Sequence, residues 1–319
     1  MIPAAVLRVC GRPPSLEKRR PPVPGAGEVL ITVAAAPITP LDLLCASGTS
    51  YFGTPATPYV PGVQGVGYRE DGTPVWFATS AGMRPGDGSM TAVVAVPHAD
   101  VVPLPHGVPL PLIAALGLSA VAAHSALTRT GGLTPGETVV VLGAGGVVGQ
   151  AALQLARLCG AGRVIAVCRS PRAREQALRF GAEEAVALLP DDDPASLADR
   201  LRAAAGPVDL VLDPVFGVPA AAALRVLRPG GRLINLGSSA SPTAPIDSAT
   251  LRSGSLHVHG YTNNALSSAQ RAESLTEVAS FAAAGRLTVT HEVVPFGSVE
   301  EAWSRQAAGD TDGRIVLVF

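Results

Sequence analysis

From Thr138 onward the chain repeats one polarity pattern: a short, almost uninterrupted apolar run, a turn, then a longer stretch in which apolar positions return every three or four residues. The apolar runs at 138–142, 163–168, 185–188, 208–212, 231–236 and 256–260 predict strands. Runs this short, with little polar alternation, suit strands covered on both faces. The amphipathic stretches at 147–159, 173–180, 195–205 and 219–227 predict helices. Strand and helix in alternation predict a parallel, doubly wound sheet with helices on both sides.

The first hundred or so residues have another texture. Short apolar runs at 29–34 and 91–96 sit among turn signals, and prolines at 55, 58, 61, 74 and 85 exclude long helices. An irregular β-barrel or sandwich is the expectation. Residues 110–127, rich in Ala and Leu, predict one buried helix, and the Gly131-Gly132-Leu133-Thr134-Pro135-Gly136 segment predicts a loop. The C-terminal part returns to a mixed pattern, with a helix at 269–284 and a closing strand at 314–318.

Charge narrows the function classes. The 319 residues carry 24 basic and 25 acidic side chains, a net charge of −1, and only 15% of the chain is charged. That leaves no basic footprint for nucleic acid or an anionic membrane. Lys18 is the sole lysine among the 24 cations. A Schiff-base or pyridoxal-phosphate enzyme, a Walker loop and a Tyr-x-x-x-Lys reductase are therefore excluded. Cys10, Cys45, Cys159 and Cys168 show no C-x-x-C spacing and read as four buried thiols of a reducing compartment. The longest uncharged stretches are broken by Gly, Ser, His or Gln and do not read as membrane spans. No charged signal-peptide head precedes the first apolar run, and a cytoplasmic protein is expected.

Thr138-Val139-Val140-Val141-Leu142 runs straight into Gly143-Ala144-Gly145-Gly146-Val147-Val148-Gly149 and then into a helical stretch. A pyrophosphate needs this order, because backbone must approach it without Cβ atoms while helix N–H groups and a partial positive charge face it. Position 148 is valine, so the pattern is not a strict G-x-G-x-x-G; glycines at 143, 146 and 149 recur every third residue instead. Where a cofactor with a free ribose 2′-hydroxyl meets an acidic residue, at the end of the second strand, this chain has Arg169, Ser170 and Arg172. Guanidinium and hydroxyl groups suit a 2′-phosphate, which makes NADPH the expected cofactor.

With those residues in place, the chain resembles the medium-chain dehydrogenase/reductase superfamily, in its zinc-free quinone oxidoreductase (zeta-crystallin-like) branch. Pro24-Gly25-Ala26-Gly27-Glu28-Val29-Leu30, followed by Ile38-Thr39-Pro40-Leu41-Asp42, is similar to the family's opening strand and active-site loop. Pro61-Gly62-Val63-Gln64-Gly65-Val66-Gly67 resembles its P-G-x-E-x-x-G segment, Leu118-Ser119-Ala120 its G-L-T-A, and residues 208–215 its D-V-V-x-D-x-V. Residues 227–232, Leu236-Gly237 and the closing 313–317 segment complete the order. The resemblance implies an α/β protein in which a GroES-like, β-rich catalytic domain, residues 1–112 and 258–319, carries an inserted doubly wound Rossmann domain, residues 113–257. It also implies an active site in the cleft between the two domains, and a homodimer.

Metal-dependent relatives carry Cys at the position of Thr39 and His-Glu at the position of Val63-Gln64. The residues here offer no such Cys/His set, so no metal is expected. Without a Lewis acid, alcohol oxidation loses the stabiliser of its alkoxide. A quinone or an α,β-unsaturated carbonyl instead accepts hydride at an electron-poor carbon, with a few hydrogen-bond donors on its oxygen. The expectation is an NADPH-dependent reductase of a quinone or enone; the arginine-heavy, lysine-poor composition fits a GC-rich bacterial genome and a role in secondary metabolism. A zinc-free alcohol/ketone oxidoreductase and a nucleotide-binding protein without turnover are the alternatives. Thr39, Tyr51 and Ser119 are the candidate donors at the nicotinamide end. Gly237 and Ser238 follow a strand end, and Tyr261 and Asn263 fall where relatives place residues beside the nicotinamide. Asp213 reads equally as helix cap or ligand contact, Tyr59 as packing, and His257 with His259 as a satisfied structural pair.

Overall fold

The computed structural model describes residues 1–319. In chain order the first elements are β1 (Ile2–Val6), β2 (Ser15–Arg19), β3 (Glu28–Pro37), α1 (Pro40–Ser47), β4 (Gln64–Tyr68), β5 (Pro74–Ala78), β6 (Val93–Pro97), β7 (Val101–Pro103) and α2 (Leu110–Ser125). Then come β8 (Thr138–Leu142), α3 (Val147–Leu158), β9 (Arg163–Cys168), α4 (Pro171–Arg179), β10 (Glu184–Ala187), α5 (Pro194–Ala205), β11 (Val208–Asp213), α6 (Val218–Leu224), β12 (Leu227–Asn235), α7 (Ser248–Ser253) and β13 (His257–Gly260). The chain closes with α8 (Ser268–Ala283), β14 (His291–Pro295), α9 (Val299–Ala308) and β15 (Arg314–Val318).

Contacts divide the chain into two units, Met1–Leu118 with Ser268–Phe319, and Ser119–Ser267. The junctions fall at 118/119 and 267/268 instead of 112/113 and 257/258. Two contacts explain the shift: Gln64 fastens the start of α2 to the first unit, and β13 pairs along its length with β12 of the second.

The first unit is β-rich. Its seven-stranded sheet runs β14-β15-β3-β4-β5-β7, with β6 also paired to β3, and only the β14–β15 pair is parallel. The one α-helix in its first hundred residues, α1, starts where Thr39 caps it, with Pro40 in the first turn and Asp42 completing a reciprocal capping box; it stops at Gly48, whose φ is 77°. Leu7, Ile31, Ile38, Phe77, Met90, Trp303 and Leu317 pack into the core of this unit. A buried aliphatic or aromatic side chain of this size contributes about 1.5–3 kcal/mol.

The second unit holds six parallel strands in the order β10-β9-β8-β11-β12-β13. Val139 to Leu142, Val164 to Val167 and Leu210 to Leu212 are fully buried, as two-faced covering requires. All six strand expectations correspond to strands. One boundary differs in kind: the expected helix at 219–227 ends at Leu224, because Leu227 joins the ladder opposite Val208 and the register shifts before Arg232 pairs with Leu210. Pairing across the sheet outweighs the local apolar pattern there.

The single helix expected at 110–127 is two helical pieces joined at Gly117, whose φ of 27° and ψ of −127° lie outside the helical region, with a π-turn following at Ala126–Thr130. This stretch, Leu110–Thr130, is long and apolar enough to cross a membrane by composition, but its most apolar 18 residues are 67% buried within the protein. The cysteine expectation holds for half the set: Cys45 and Cys168 are buried, whereas Cys10 and Cys159 are partly exposed, and none of the four is in a disulfide.

Candidate functional site

In the second unit β8 is the switch point, with β9 on one side and β11 on the other, and open parallel sheets bind ligands outside the carboxyl ends of strands at such a point. The turn from β8 into α3 is built for backbone approach. Gly143 has φ 61°, and a Cβ there would sit 2.5 Å from Val215 Cγ1; a Cβ on Gly149 would lie 2.5 Å from Gly143 O and from Ala144 Cα. Neither position admits a side chain. Gly146 caps α3 without a side-chain acceptor, and the first helical hydrogen bond runs from Gln150 N to Gly146 O at 2.8 Å. The N–H groups of Val147, Val148 and Gly149 therefore point out of the helix start, where an anion is stabilised. Gln150, which the glycine pattern did not single out, is buried and donates its side-chain N–H to Gly145 O at 2.9 Å, bracing the turn from below.

The next strand end supplies cations. Arg169 and Arg172 are exposed at the start of α4. Ser170 caps that helix by accepting from Ala173 N at 3.1 Å, which leaves its O–H to donate. Arg174 donates to Arg169 O at 3.2 Å and holds the turn that presents Arg169. Burial pushes the Cys168 thiol up to about 11, against the nearby Arg174, so it stays protonated.

Asp213 resolves as a structural cap. It is fully buried, and its Oδ1 accepts from Val215 N at 3.0 Å and Phe216 N at 2.7 Å. Burial raises its carboxyl above the usual range, while those N–H groups and Asn235 act against the rise. The turn it holds, with Phe216 at φ 58°, sets Val215 against Gly143. Asn235, also absent from the sequence expectations, donates to Asp213 Oδ2 at 3.0 Å and to Gly237 O at 2.8 Å. Gly237 is partly buried and Ser238 exposed just beyond β12. Past β13, Tyr261 donates its hydroxyl to Asn263 Oδ1 at 2.7 Å. The fold thus gathers Gly143, Ala144, Gly145, Gly146, Val147, Val148, Gly149, Arg169, Ser170, Arg172, Gly237, Ser238, Tyr261 and Asn263 at the carboxyl edge of one sheet.

The three donor candidates fare differently. Thr39 is buried, and its hydroxyl is committed: Oγ1 donates to Asp42 Oδ2 at 2.6 Å and accepts from Asp42 N at 3.1 Å. It is a helix cap and not a donor to substrate, which corrects the expectation. Tyr51 is 77% exposed and rests on Phe52, so it lines no dry pocket within its unit. Ser119 is partly buried in the second piece of α2. Tyr59 is buried, and its hydroxyl has no hydrogen-bond partner.

Two polar residues around Thr39, named in the sequence motifs but given no role there, organise the loop. Asp42 Oδ1 accepts from Gly62 N at 3.1 Å and Val63 N at 2.9 Å, while Oδ2 accepts from Thr39 N at 2.8 Å. Burial raises Asp42 and lowers Arg314 to about 10, and the attraction between the two opposes both shifts. Gln64 Oε1 accepts from Trp76 Nε1 at 3.0 Å and Leu118 N at 2.6 Å. A zinc ion would require donors that this loop does not offer: Thr39 is bound to Asp42, Val63 is apolar, and Gln64 is bound to Trp76 and Leu118. No three His, Cys, Asp or Glu side chains converge anywhere in the chain.

The chain belongs to the medium-chain dehydrogenase/reductase superfamily, in its quinone oxidoreductase branch. The family profile described as zinc-binding dehydrogenase matches residues 147–281. Quinone oxidoreductase from Rattus norvegicus is 30% identical over 231 residues, covering 69% of this chain and 67% of the relative. The synaptic vesicle membrane protein VAT-1 homolog of the same organism is 29% identical over 236 residues, and the match spans 55% of its length, so the chain spans about half of that relative. Among solved structures, the quinone oxidoreductase from Thermus thermophilus, also solved in complex with NADPH, superposes with a TM-score of 0.82 at 31% identity, covering 99% of this chain and all of the other.

Proposed function

We propose that the protein is an NADPH-dependent, zinc-independent reductase that transfers hydride to a quinone or an α,β-unsaturated carbonyl. The observation that carries this reading is the pairing, at adjacent strand ends, of a glycine-rich turn before an open helix N-terminus with an arginine-serine-arginine set where NAD-type sites place an acid. When bound, the nicotinamide supplies the hydride. The chain's own parts then have separate tasks. Val147, Val148 and Gly149 hold the diphosphate by N–H groups, while Arg169 and Arg172 hold the 2′-phosphate by charge-assisted hydrogen bonds. Tyr261 and Asn263 wall the nicotinamide end as a pre-paired unit, Ser119 lies on the wall beside the acceptor, and water supplies the proton. Zinc independence is supported by donor chemistry, since the Thr39–Asp42 cap occupies the loop that would have to bind a metal.

The expected outcome in steady-state kinetics with a panel of quinones, enones and ketones is turnover of the first two classes and a higher kcat/KM for NADPH than for NADH. Arg169→Asp should lower the NADPH value about tenfold or more, because a bidentate charge-assisted contact is replaced by repulsion. An unchanged cofactor preference in that variant would remove the 2′-phosphate assignment. Nucleotide binding without turnover of any acceptor would leave only the binding role.

A further inference from the structure

The break in α2 parts two helical partners, and a side chain from β4 stands between them. In an unbroken helix Leu118 N would donate to the carbonyl four residues earlier, Ala114 O. Here Gly117 leaves the helical region. Leu118 N donates instead to Gln64 Oε1 at 2.6 Å, while Gln64 Nε2 donates to Ala114 O at 3.4 Å. The side-chain amide thus takes the place of the missing peptide hydrogen bond, an insertion of the kind that kinks helices. Chemistry fixes its orientation. Trp76 Nε1, at 3.0 Å, and Leu118 N can only donate, and Ala114 O can only accept. Gln64, Trp76 and Ala114 are fully buried, where an unmet donor or acceptor is costly.

We propose that Gln64 is a positioning residue for hydride transfer: by standing in the gap between Ala114 O and Leu118 N, it sets the direction of the chain at Ser119, the next residue. The proposal rests on the reading of Ser119 as part of the wall beside the acceptor. A continuous helix would carry Ser119 over the face of Ala115, which is fully buried; after the break Ser119 is only partly buried. Reaction rates respond steeply to such placement. The clasp needs two acceptances and one donation at once, which a neutral amide supplies. A carboxyl of the same length supplies them only while it keeps its proton, because an ionised one faces Ala114 O with no hydrogen. Gln64 therefore holds the break open at any pH, where an acid would hold it only when protonated. Its surroundings add little charge. The preceding loop brings Asp42, bound to Val63 N and faced by Arg314, and α2 carries His124 further along. The residues of β3 and β5 paired with β4 are not ionisable, and Ser89 donates to Gln64 O.

The test is Gln64→Glu in the full-length protein, read as the variant-to-parent ratio of kcat/KM for a quinone or enone with NADPH. Burial raises a carboxyl, so the ratio should be highest near about pH 6 and fall about tenfold or more by about pH 9, as the proton leaves. In a Ser119→Ala background most of that fall should vanish, because the residue being positioned is gone; a merely structural role gives the same fall in both backgrounds. Tryptophan emission supplies a readout without turnover. It should titrate over the same range in Gln64→Glu, and in neither the parent nor Gln64→Glu combined with Trp76→Phe. Gln64→Met, which is neutral and of similar length, should lower kcat/KM about tenfold while keeping the parent's pH profile. Emission that does not titrate, an activity ratio flat with pH, an equal fall in both Ser119 backgrounds, or parent-like kcat/KM in Gln64→Met overturns the proposal. A parent that turns over no quinone or enone overturns the functional reading itself and takes the proposal with it.

Discussion

A single carboxylate holds together the loop that sequence reading assigned to chemistry. Asp42 accepts hydrogen bonds from Thr39 N, Thr39 Oγ1, Gly62 N and Val63 N, with Arg314 as the facing cation. The motif spacing located Thr39 correctly on the loop before α1, but a hydroxyl's task depends on the group beside it. Here that group is the third residue of the helix it caps. Asp42→Ala leaves three N–H groups and the Thr39 hydroxyl without their acceptor, and each orphaned buried donor costs about 1–3 kcal/mol. Urea unfolding of the variant should show a loss of at least about 3 kcal/mol; a loss below about 1 kcal/mol would mean that the clasp is dispensable.

At the level of elements, the bend in α2 illustrates a tertiary override. The stretch 110–127 has the composition of one continuous helix, and only Gly117 hints otherwise. The break depends on Gln64, fifty-three positions earlier in numbering, whose Oε1 takes Leu118 N and Trp76 Nε1 and occupies the space a Cβ on Gly117 would need. Gly117→Ala therefore meets both a positive φ and a collision, and should cost about 1–3 kcal/mol. Gln64→Ala removes the collision but takes the acceptor from the buried Trp76 N–H and the part-buried Leu118 N–H, at about 1–3 kcal/mol for the former. A double-mutant cycle by thermal or urea unfolding should give a coupling of about 1 kcal/mol between the two positions, and additivity would contradict the shared contact. The starts of α4 and α5, by contrast, fall within two residues of the expected positions, because Ser170 and Asp193 cap them with partners no more than three residues away.

At the scale of the whole molecule, pH couples to folding through carboxylates tied into each unit. In the second unit Glu137 receives two hydrogen bonds from Arg232. Burial acts to raise its carboxyl, but the hydrogen bonds from Arg232 and Thr134 prevail and hold it below the usual range. A carboxyl with a lowered folded pKa contributes stability above its unfolded value and loses it as pH falls through the folded one. Glu137→Gln should therefore be less stable than the parent at pH 7, and the gap should narrow as pH falls below about 4.3. Unfolding midpoints between pH 7 and pH 3 measure this, and a gap independent of pH would refute the linkage. Sequence alone determined the alternation of strands and helices, the glycine turn after Leu142 and the basic strand end at Arg169, because each rests on neighbours within a few residues. Tertiary structure decided which polar groups are free for chemistry. Thr39 and Asp213 are consumed by their own turns, and Gln64 and Asn235 tie distant elements, a fact set by strand order and invisible in local pattern.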